Sequence, residues 1–423
     1  MMRNAEASVV KASQAGERER SLSDAFQHGM SAARSLGFDV HIRAVSETDP
    51  GAWACELWKD GEQVPGGSGL GKGSREAARV GALFEALEHY VSESDYLDSA
   101  SVQNMSSHAI AAPDGVLYRD QAVRLLGELA DEPIGCLEYR EIFSGANMPV
   151  PIFLSTPGYV DAGTNFRASL GDNFDYSAVW RYSSNNGWAA GVTAAEATVH
   201  ALNEVVERDA FSLLLIGQFL RSRPKPLRVV DRETLPRELV DLAAHADKIT
   251  GRTVHLIDMT TDVSVPAFLA FLPPEKGTPA RIRGCGASLS SDYAAYRALA
   301  ELVQIQGAVA AGAPPAPNLR RDDTMLPYPP MQACRLADFT DRLPDARRVC
   351  FESTSPPAMP KAHLEELLRR LSDRGYSVLR RQAATPEGLA VVNVLVPGME
   401  RFMLVTDGIL VLPGPRGQYF TEN

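Results

Sequence analysis

Residues 183–215, SSNNGWAAGVTAAEATVHALNEVVERDAFSLLL, open on a glycine-containing turn and run into one long helix. Thr193 stands where an N-cap accepts an orphan amide, and Glu196 follows at capping-box distance. Deeper in the helix Glu204 and Glu207 lie three residues apart, with Arg208 beside them. Residues at that spacing share a helix face, and two carboxylates so placed repel each other unless a cation lies between them. Such pairs are common on solvated faces. Here, however, ALNEVVERDAF is so apolar that a solvated stripe would be unusually narrow, and half-buried acids need partners.

The design recurs on either side. Upstream, GEQVPGGSGLGKG (61–73) reads as a flexible turn region feeding the helix SREAARVGALFEALEHYVSESDYL (74–97), where Glu85 and Glu88 repeat the spacing inside an apolar run. Downstream, GCGASLSSDYAAYRALAELVQIQGAVAAG (284–312) gives a third turn followed by a helix. SLSDAFQHGMSAARSLGF (21–38) reads as a helix capped by Ser21 or Ser23. VHIRAVSE (40–47) and WACELWKDGEQ (53–63) alternate like paired strands, and TVHLIDMTTDVSVPAFLAFLP (253–273) reads as two more. HLEELLRRLSDRGYSVLRRQ (363–382) and LAVVNVLVP (389–397) give a helix then a strand, and proline-rich AAGAPPAPNLRRDDTMLPYPP (310–330) an exposed loop. The fold class is α/β, with three turn-to-helix units as its chemical candidates.

Two ExxE pairs facing one another suit Mg2+, which takes oxygen ligands together with waters and phosphate oxygens. The expected ligands are Glu85, Glu88, Glu204 and Glu207, beneath a triphosphate. Glu196 returns to nearly the same face as Glu207 but lies ~16 Å along the axis, too far for one ion to bridge. It is assigned to a second metal or to another part of the nucleotide, and Arg208 to phosphate, for which its planar fork is suited. GSGLGKGS lacks the spacing of a phosphate loop, although its amides can still approach phosphate. The eight histidines form no HxxxH or triad-like arrangement, and His200, four residues before Glu204, reads as a packed or hydrogen-bonded group.

Composition narrows the class. The net charge of −11 over 423 residues argues against a broad nucleic-acid surface. No run of eighteen uncharged apolar residues is present, and the charged start MMRNAEASVVKASQAGERER lacks the apolar centre of a signal peptide, so a soluble cytoplasmic protein is expected. Cys55, Cys136, Cys285, Cys334 and Cys350 stand singly, without the spacing of a zinc site or redox pair.

Taken together, these blocks carry a family resemblance. GKGSREAARVGALFEALEHY (71–90) resembles the first signature of the YcaO family, and SNNGWAAGVTAAEATVHALNEVVERDA (184–210) the second. GCGASLSSDYAAYRALAELVQ (284–304) is similar to the third, and VVNVLVPGME (391–400) resembles the late strand and PG turn. The resemblance implies a YcaO-type fold, mixed sheets with long helices flanking a nucleotide-binding cleft, over residues 61–423, preceded by an extension and accessory elements over 1–60. It implies ATP and Mg2+ as cofactors and ATP-dependent activation of backbone amides: the amide oxygen is phosphorylated, then expelled after a nucleophile attacks the carbon. Glu85, Glu88, Glu204 and Glu207 match the magnesium carboxylates, Glu196 a further metal or nucleotide contact and Arg208 a phosphate contact; Glu204, Glu207 and Arg208 are the catalytic candidates. Ser184, Asn186, Arg297, Glu301, Gln304 and Lys72 match signature positions lining the site.

Most relatives so recognised turn Cys, Ser or Thr of a ribosomal peptide into azolines, and others make thioamides or amidines. The partners implied are a ribosomal precursor peptide, an E1-like or leader-binding protein and, for azoles, an FMN-dependent dehydrogenase, within a hetero-complex in which this chain can itself be oligomeric. The sequence departs from the pattern at His89, Val192 and Gln306, and at its end, PGPRGQYFTEN (413–423), which replaces a repeated P-x-P tail. A regulatory nucleotide-binding subunit is the alternative these departures keep open.

Overall fold

The structure, a computed structural model, describes residues 16–46, 48–93, 96–275, 282–312, 325 and 327–422. Most of the proline-rich loop expected over 310–330 lies outside the described residues. Ser21 caps α1 (Leu22–Ser35), accepting from the Asp24 N–H at 3.1 Å. β1 (Asp39–Ser46), β2 (Gly51–Lys59) and β3 (Glu62–Gly73) then form an antiparallel sheet in that order. The hairpin of β2 and β3 crosses residue 60, so the expected extension and the catalytic region share one sheet.

β3 overturns the expectation of a flexible turn at 61–73. Its glycines alternate along a strand, and Gly69 and Gly71 lie flat against α2 (Arg75–Ser92). A Cβ on Gly71 would meet the Ala78 carbonyl oxygen at 1.8 Å, and one on Gly69 the Ala86 nitrogen at 2.4 Å. Ala78, Ala82 and Ala86, every fourth residue of α2, are the buried face these glycines meet. Side chains are absent from this contact so that strand and helix can touch through their backbones.

Three further strands, β4 (Gln103–Ser106), β5 (Pro133–Glu141) and β6 (Asn147–Pro151), precede β7 (Trp188–Gly191) and α3 (Ala194–Leu215). Then come β8 (Arg228–Val230), α4 (Arg237–Thr250), β9 (His255–Asp258), β10 (Ala267–Phe271), β11 (Arg283–Ala287) and α5 (Ser291–Ala310). The chain closes with β12 (Arg347–Val349), α6 (Pro360–Asp373), β13 (Leu379–Gln382), β14 (Ala390–Leu395) and α7 (Pro415–Glu422). Among the described residues one sheet runs β11-β10-β9-β8-β12 and another β4-β5-β13-β14-β7, with β6 paired to β5. β14 is buried throughout, which explains why all but one of its residues are apolar. Its one polar residue, Asn393, accepts from the Tyr139 hydroxyl at 2.8 Å and donates to the Asn186 carbonyl at 3.3 Å, fixing the turn before β7.

The largest core packs α3 against β14 and the segment 399–405; others lie beneath α4 and α5 and between α1, α2 and the first sheet. α5 repeats the α2 arrangement. Gly284 and Gly286 of β11 press on its backbone, where added Cβ atoms would meet the Ala298 and Ala294 carbonyl oxygens at 2.2 and 2.1 Å.

Candidate functional site

Glycine-lined strands place α2 and α5 close to their sheets, and both helices turn carboxylates toward α3. Glu85 accepts from the Leu70 N–H at 3.2 Å, and Glu88 from the Ala190 N–H at 3.1 Å. Glu204 accepts from the Gly187 N–H at 3.3 Å and pairs with Arg208 at 3.1 Å. Glu301 of α5 takes Lys72 as ion-pair partner and receives the Cys285 N–H at 3.4 Å. Arg208 also donates to the Asn185 side chain at 3.3 Å.

Electrostatics join these groups into one site. Burial, then the nearby Glu204 and Glu85, pushes the Glu88 carboxyl well above its ordinary range, against the pull of Arg208. Burial raises Glu85 as well, opposed by His89 and Lys72 and reinforced by Glu301. Glu207 is pushed up to about 7 by burial, with Glu301 and Glu204 adding to the rise and Arg297 and Lys72 opposing it. The sequence-derived set therefore meets here: Glu85 and Glu88 from α2, Glu204, Glu207 and Arg208 from α3, Arg297 and Glu301 from α5, and Lys72 from β3. Carboxylates held this close, with cationic side chains around them, make a site for a cation and the anionic group bound to it.

Glu207 Oε2, Arg297 Nε and Asn186 Oδ1 are among the buried polar atoms without partners. An oxygen donor, a guanidinium N–H and an amide oxygen are the groups a magnesium ion and a nucleotide would use. Among the described residues no three His, Cys, Asp or Glu side chains form a ready metal cage. Oxygen donors of this kind suit Mg2+, which takes waters and phosphate oxygens beside protein carboxylates.

Other candidates occupy different places. Glu196 is buried, and its two oxygens accept from the Val192 N–H at 3.0 Å and from the Glu19 N–H, so backbone amides already hold both. Gln304 donates to the Leu70 carbonyl at 2.8 Å, bracing β3 against α5. Ser184 is buried and accepts from the Asn186 N–H at 3.4 Å, holding the turn. His200 does prove packed and hydrogen-bonded. Its Nδ1 lies 3.2 Å from Arg297, and burial, then that guanidinium, lowers its pKa well below the usual range, so it is the acceptor. His89 approaches Glu85 at 3.9 Å and bonds the Ser68 carbonyl at 2.7 Å.

Residues 16–20, a turn and bend that no sequence pattern marks, also pack against the site. Glu17 is buried and accepts from Asn203 at 3.1 Å and from the Ser288 hydroxyl, bringing the start of the described chain beside Glu196 and Arg297. A lone Glu in a polar stretch gives no pattern to find it by. Asn185, which is exposed, is the Arg208 partner, while Asn186 beside it is buried; the doublet signals a turn but not which amide meets Arg208.

Three strand-to-helix units bring two acidic pairs together with Lys72, Arg208 and Arg297, a set of charges suited to a magnesium-bound nucleotide. Over residues 70–400 the sequence matches the family described as YcaO cyclodehydratase, binding ATP and Mg2+, and the chain belongs to that YcaO family. ATP and Mg2+ are its cofactors, and it is an ATP-dependent enzyme of the YcaO type. An uncharacterized protein in the tfuA 3' region of Rhizobium leguminosarum bv. trifolii is 30% identical over 356 residues, 78% of this chain and 76% of the relative. The structure of YcaO from Methanopyrus kandleri bound with AMPPCP and Mg2+ superposes with a TM-score of 0.62 at 19% identity, covering 94% of this chain and 96% of that one. A heterocyclase in complex with substrate and cofactor gives 0.64 at 19% identity over 91% of this chain; the present chain spans about half that heterocyclase, 53%. The mixed α/β fold is thus the one expected. Among the described residues no helix is long and apolar enough to cross a membrane.

Proposed function

We propose that the protein activates backbone amides of a ribosomally made precursor peptide, most specifically in cyclodehydration of Cys, Ser or Thr to azolines. The observation that carries this reading is the convergence of Glu85, Glu88, Glu204 and Glu207 beside Arg208 and Arg297, with a buried Glu207 oxygen left for a ligand. Glu85, Glu88, Glu204 and Glu207 would hold magnesium, whose charge neutralises the phosphates and orients the transferring group. Arg208, fixed by Glu204 and Asn185, presents its free N–H groups to phosphate oxygens. Lys72 and Arg297 flank the same carboxylates and supply further positive charge.

The chemistry balances as phosphoryl transfer followed by substitution. The amide oxygen takes the terminal phosphoryl of ATP, ADP departs and the amide N–H proton is released; a side-chain hydroxyl or thiol loses its proton as it adds to the amide carbon; phosphate then leaves with the former amide oxygen, and a C=N bond remains in the ring. Precursor peptide, a leader-binding E1-like protein and, for azoles, an FMN-dependent dehydrogenase are the proposed partners.

Thioamide or amidine formation is the second reading, from an external nucleophile after the same activation. A peptide labelled with ¹⁸O at the modified carbonyl tests activation itself. Released phosphate is expected to carry one labelled oxygen per modified amide, and phosphate oxygen drawn from water would overturn the proposal. The product mass separates ring closure, which loses water, from exchange of oxygen for sulfur or nitrogen.

A further inference from the structure

The turn of α3 that carries Arg208 is gripped from behind. Asp209, fully buried, receives a two-pronged contact from Arg416 of α7, Nε to Oδ1 at 3.0 Å and Nη2 to Oδ2 at 3.1 Å. Arg416 is held in turn by Asp262, Nη2 to Oδ1 at 2.5 Å, and its guanidinium lies 5.6 Å from the Tyr376 ring centre. Asp209 Oδ1 also accepts the Glu400 N–H at 2.9 Å, while the Glu400 carboxylate takes the N–H groups of Gly414 and Gly417 at 3.1 and 2.6 Å. One residue on, Arg401 donates to the Leu154 and Tyr182 carbonyls at 2.9 and 3.0 Å and pairs with buried Asp120.

These contacts converge on one side chain. Arg208 leans on Glu204, from its own helix, and on Asn185, from the turn that follows Tyr182. The 400–401 segment holds both walls, α3 through Asp209 and the turn through Tyr182. Ser212 adds a third tie, donating to the Arg208 carbonyl at 2.7 Å and accepting the Met403 N–H at 2.9 Å. A fork bound to a fully buried carboxylate keeps little freedom, so a displacement at Arg416 is transmitted to the helical turn rather than absorbed.

We propose that Arg416 is a positioning residue for Arg208: through Asp209 and Glu400, the C-terminal helix sets the guanidinium that meets the nucleotide phosphates. The inference rests on the nucleotide role proposed above for Arg208. It predicts a coupling between two residues that share no contact, which a purely structural role would not produce.

Calorimetric titration of the full chain with the β,γ-methylene analogue of ATP and Mg2+ provides the test. Arg416→Gln is expected to weaken binding about tenfold in the otherwise unaltered chain, but less than about twofold when Arg208→Gln is already present. Arg416→Lys, which keeps the charge and loses the fork, is expected to recover only part of the affinity. Should Arg416→Gln fail to fold, Asp262→Asn loosens the same clamp from its exposed side and is expected to show a smaller loss that again vanishes with Arg208→Gln. Equal losses in both backgrounds, or unchanged affinity in Asp262→Asn and Arg416→Lys, would overturn the clamp alone. No binding by the unaltered chain would overturn the clamp together with the nucleotide role on which it rests.

Discussion

At the scale of single residues, Glu207 concentrates the consequences of the site. It lies between Glu204, Glu301 and Arg297, and one of its oxygens is buried without a partner. Glu207→Gln keeps the volume and removes the charge, so magnesium-dependent ATP turnover is expected to fall at least ~100-fold while the far-ultraviolet dichroism stays unchanged. The same substitution carries a pH signature in metal-free protein. The folded-state pKa, about 7, lies above the ordinary 4.5, so between these values the folded chain binds more protons than the unfolded one. This group's contribution to stability is therefore full below pH 4.5 and lost as the pH rises through 7. Thermal melts of Glu207→Gln are expected to show a shallower decline across that window, and phosphate release near the normal rate would remove Glu207 from the metal set.

At the scale of elements, glycine-lined strands explain why the chemistry falls on helices. β3 and β11 lack side chains where α2 and α5 press on them, which sets each helix at backbone contact distance. Gly71→Ala and Gly286→Ala would each drive a methyl group into helix backbone, at 1.8 and 2.1 Å from a carbonyl oxygen, and neither neighbour is a flexible side-chain end. Each is expected to cost about 3 kcal/mol or more, read as a lowered denaturant midpoint or loss of soluble protein. Gly61→Ala, with open space around it although its φ is positive, is expected to cost less. The helices were legible from the sequence because Glu85 with Glu88, and Glu204 with Glu207, sit at a spacing that fixes a shared face. β3 was not, because alternating glycines that serve a close contact carry the same letters as a loop. The partners of Glu196 and Asp209 were also hidden: Glu19 and Arg416 lie 177 and 207 residues away, and no local period connects them.

At the scale of the whole molecule, the chain spans 96% of a YcaO structure and 53% of a heterocyclase chain. On the proposed reading, one amide of a long peptide must be presented to the acidic site, which is easier when the peptide is also held elsewhere. A leader bound by a partner raises the local concentration of the amide, and the gain from such tethering reaches ~10²–10⁴-fold without any new contact in the cleft. The purified chain is therefore expected to modify its precursor slowly and with little dependence on the leader, and to accelerate by at least ~100-fold when the leader-binding protein is added. Mass spectrometry of the peptide over time, with and without that protein, separates the outcomes. Rapid modification by this chain alone, abolished by removing the leader, would show that the recognition surface lies within the chain itself.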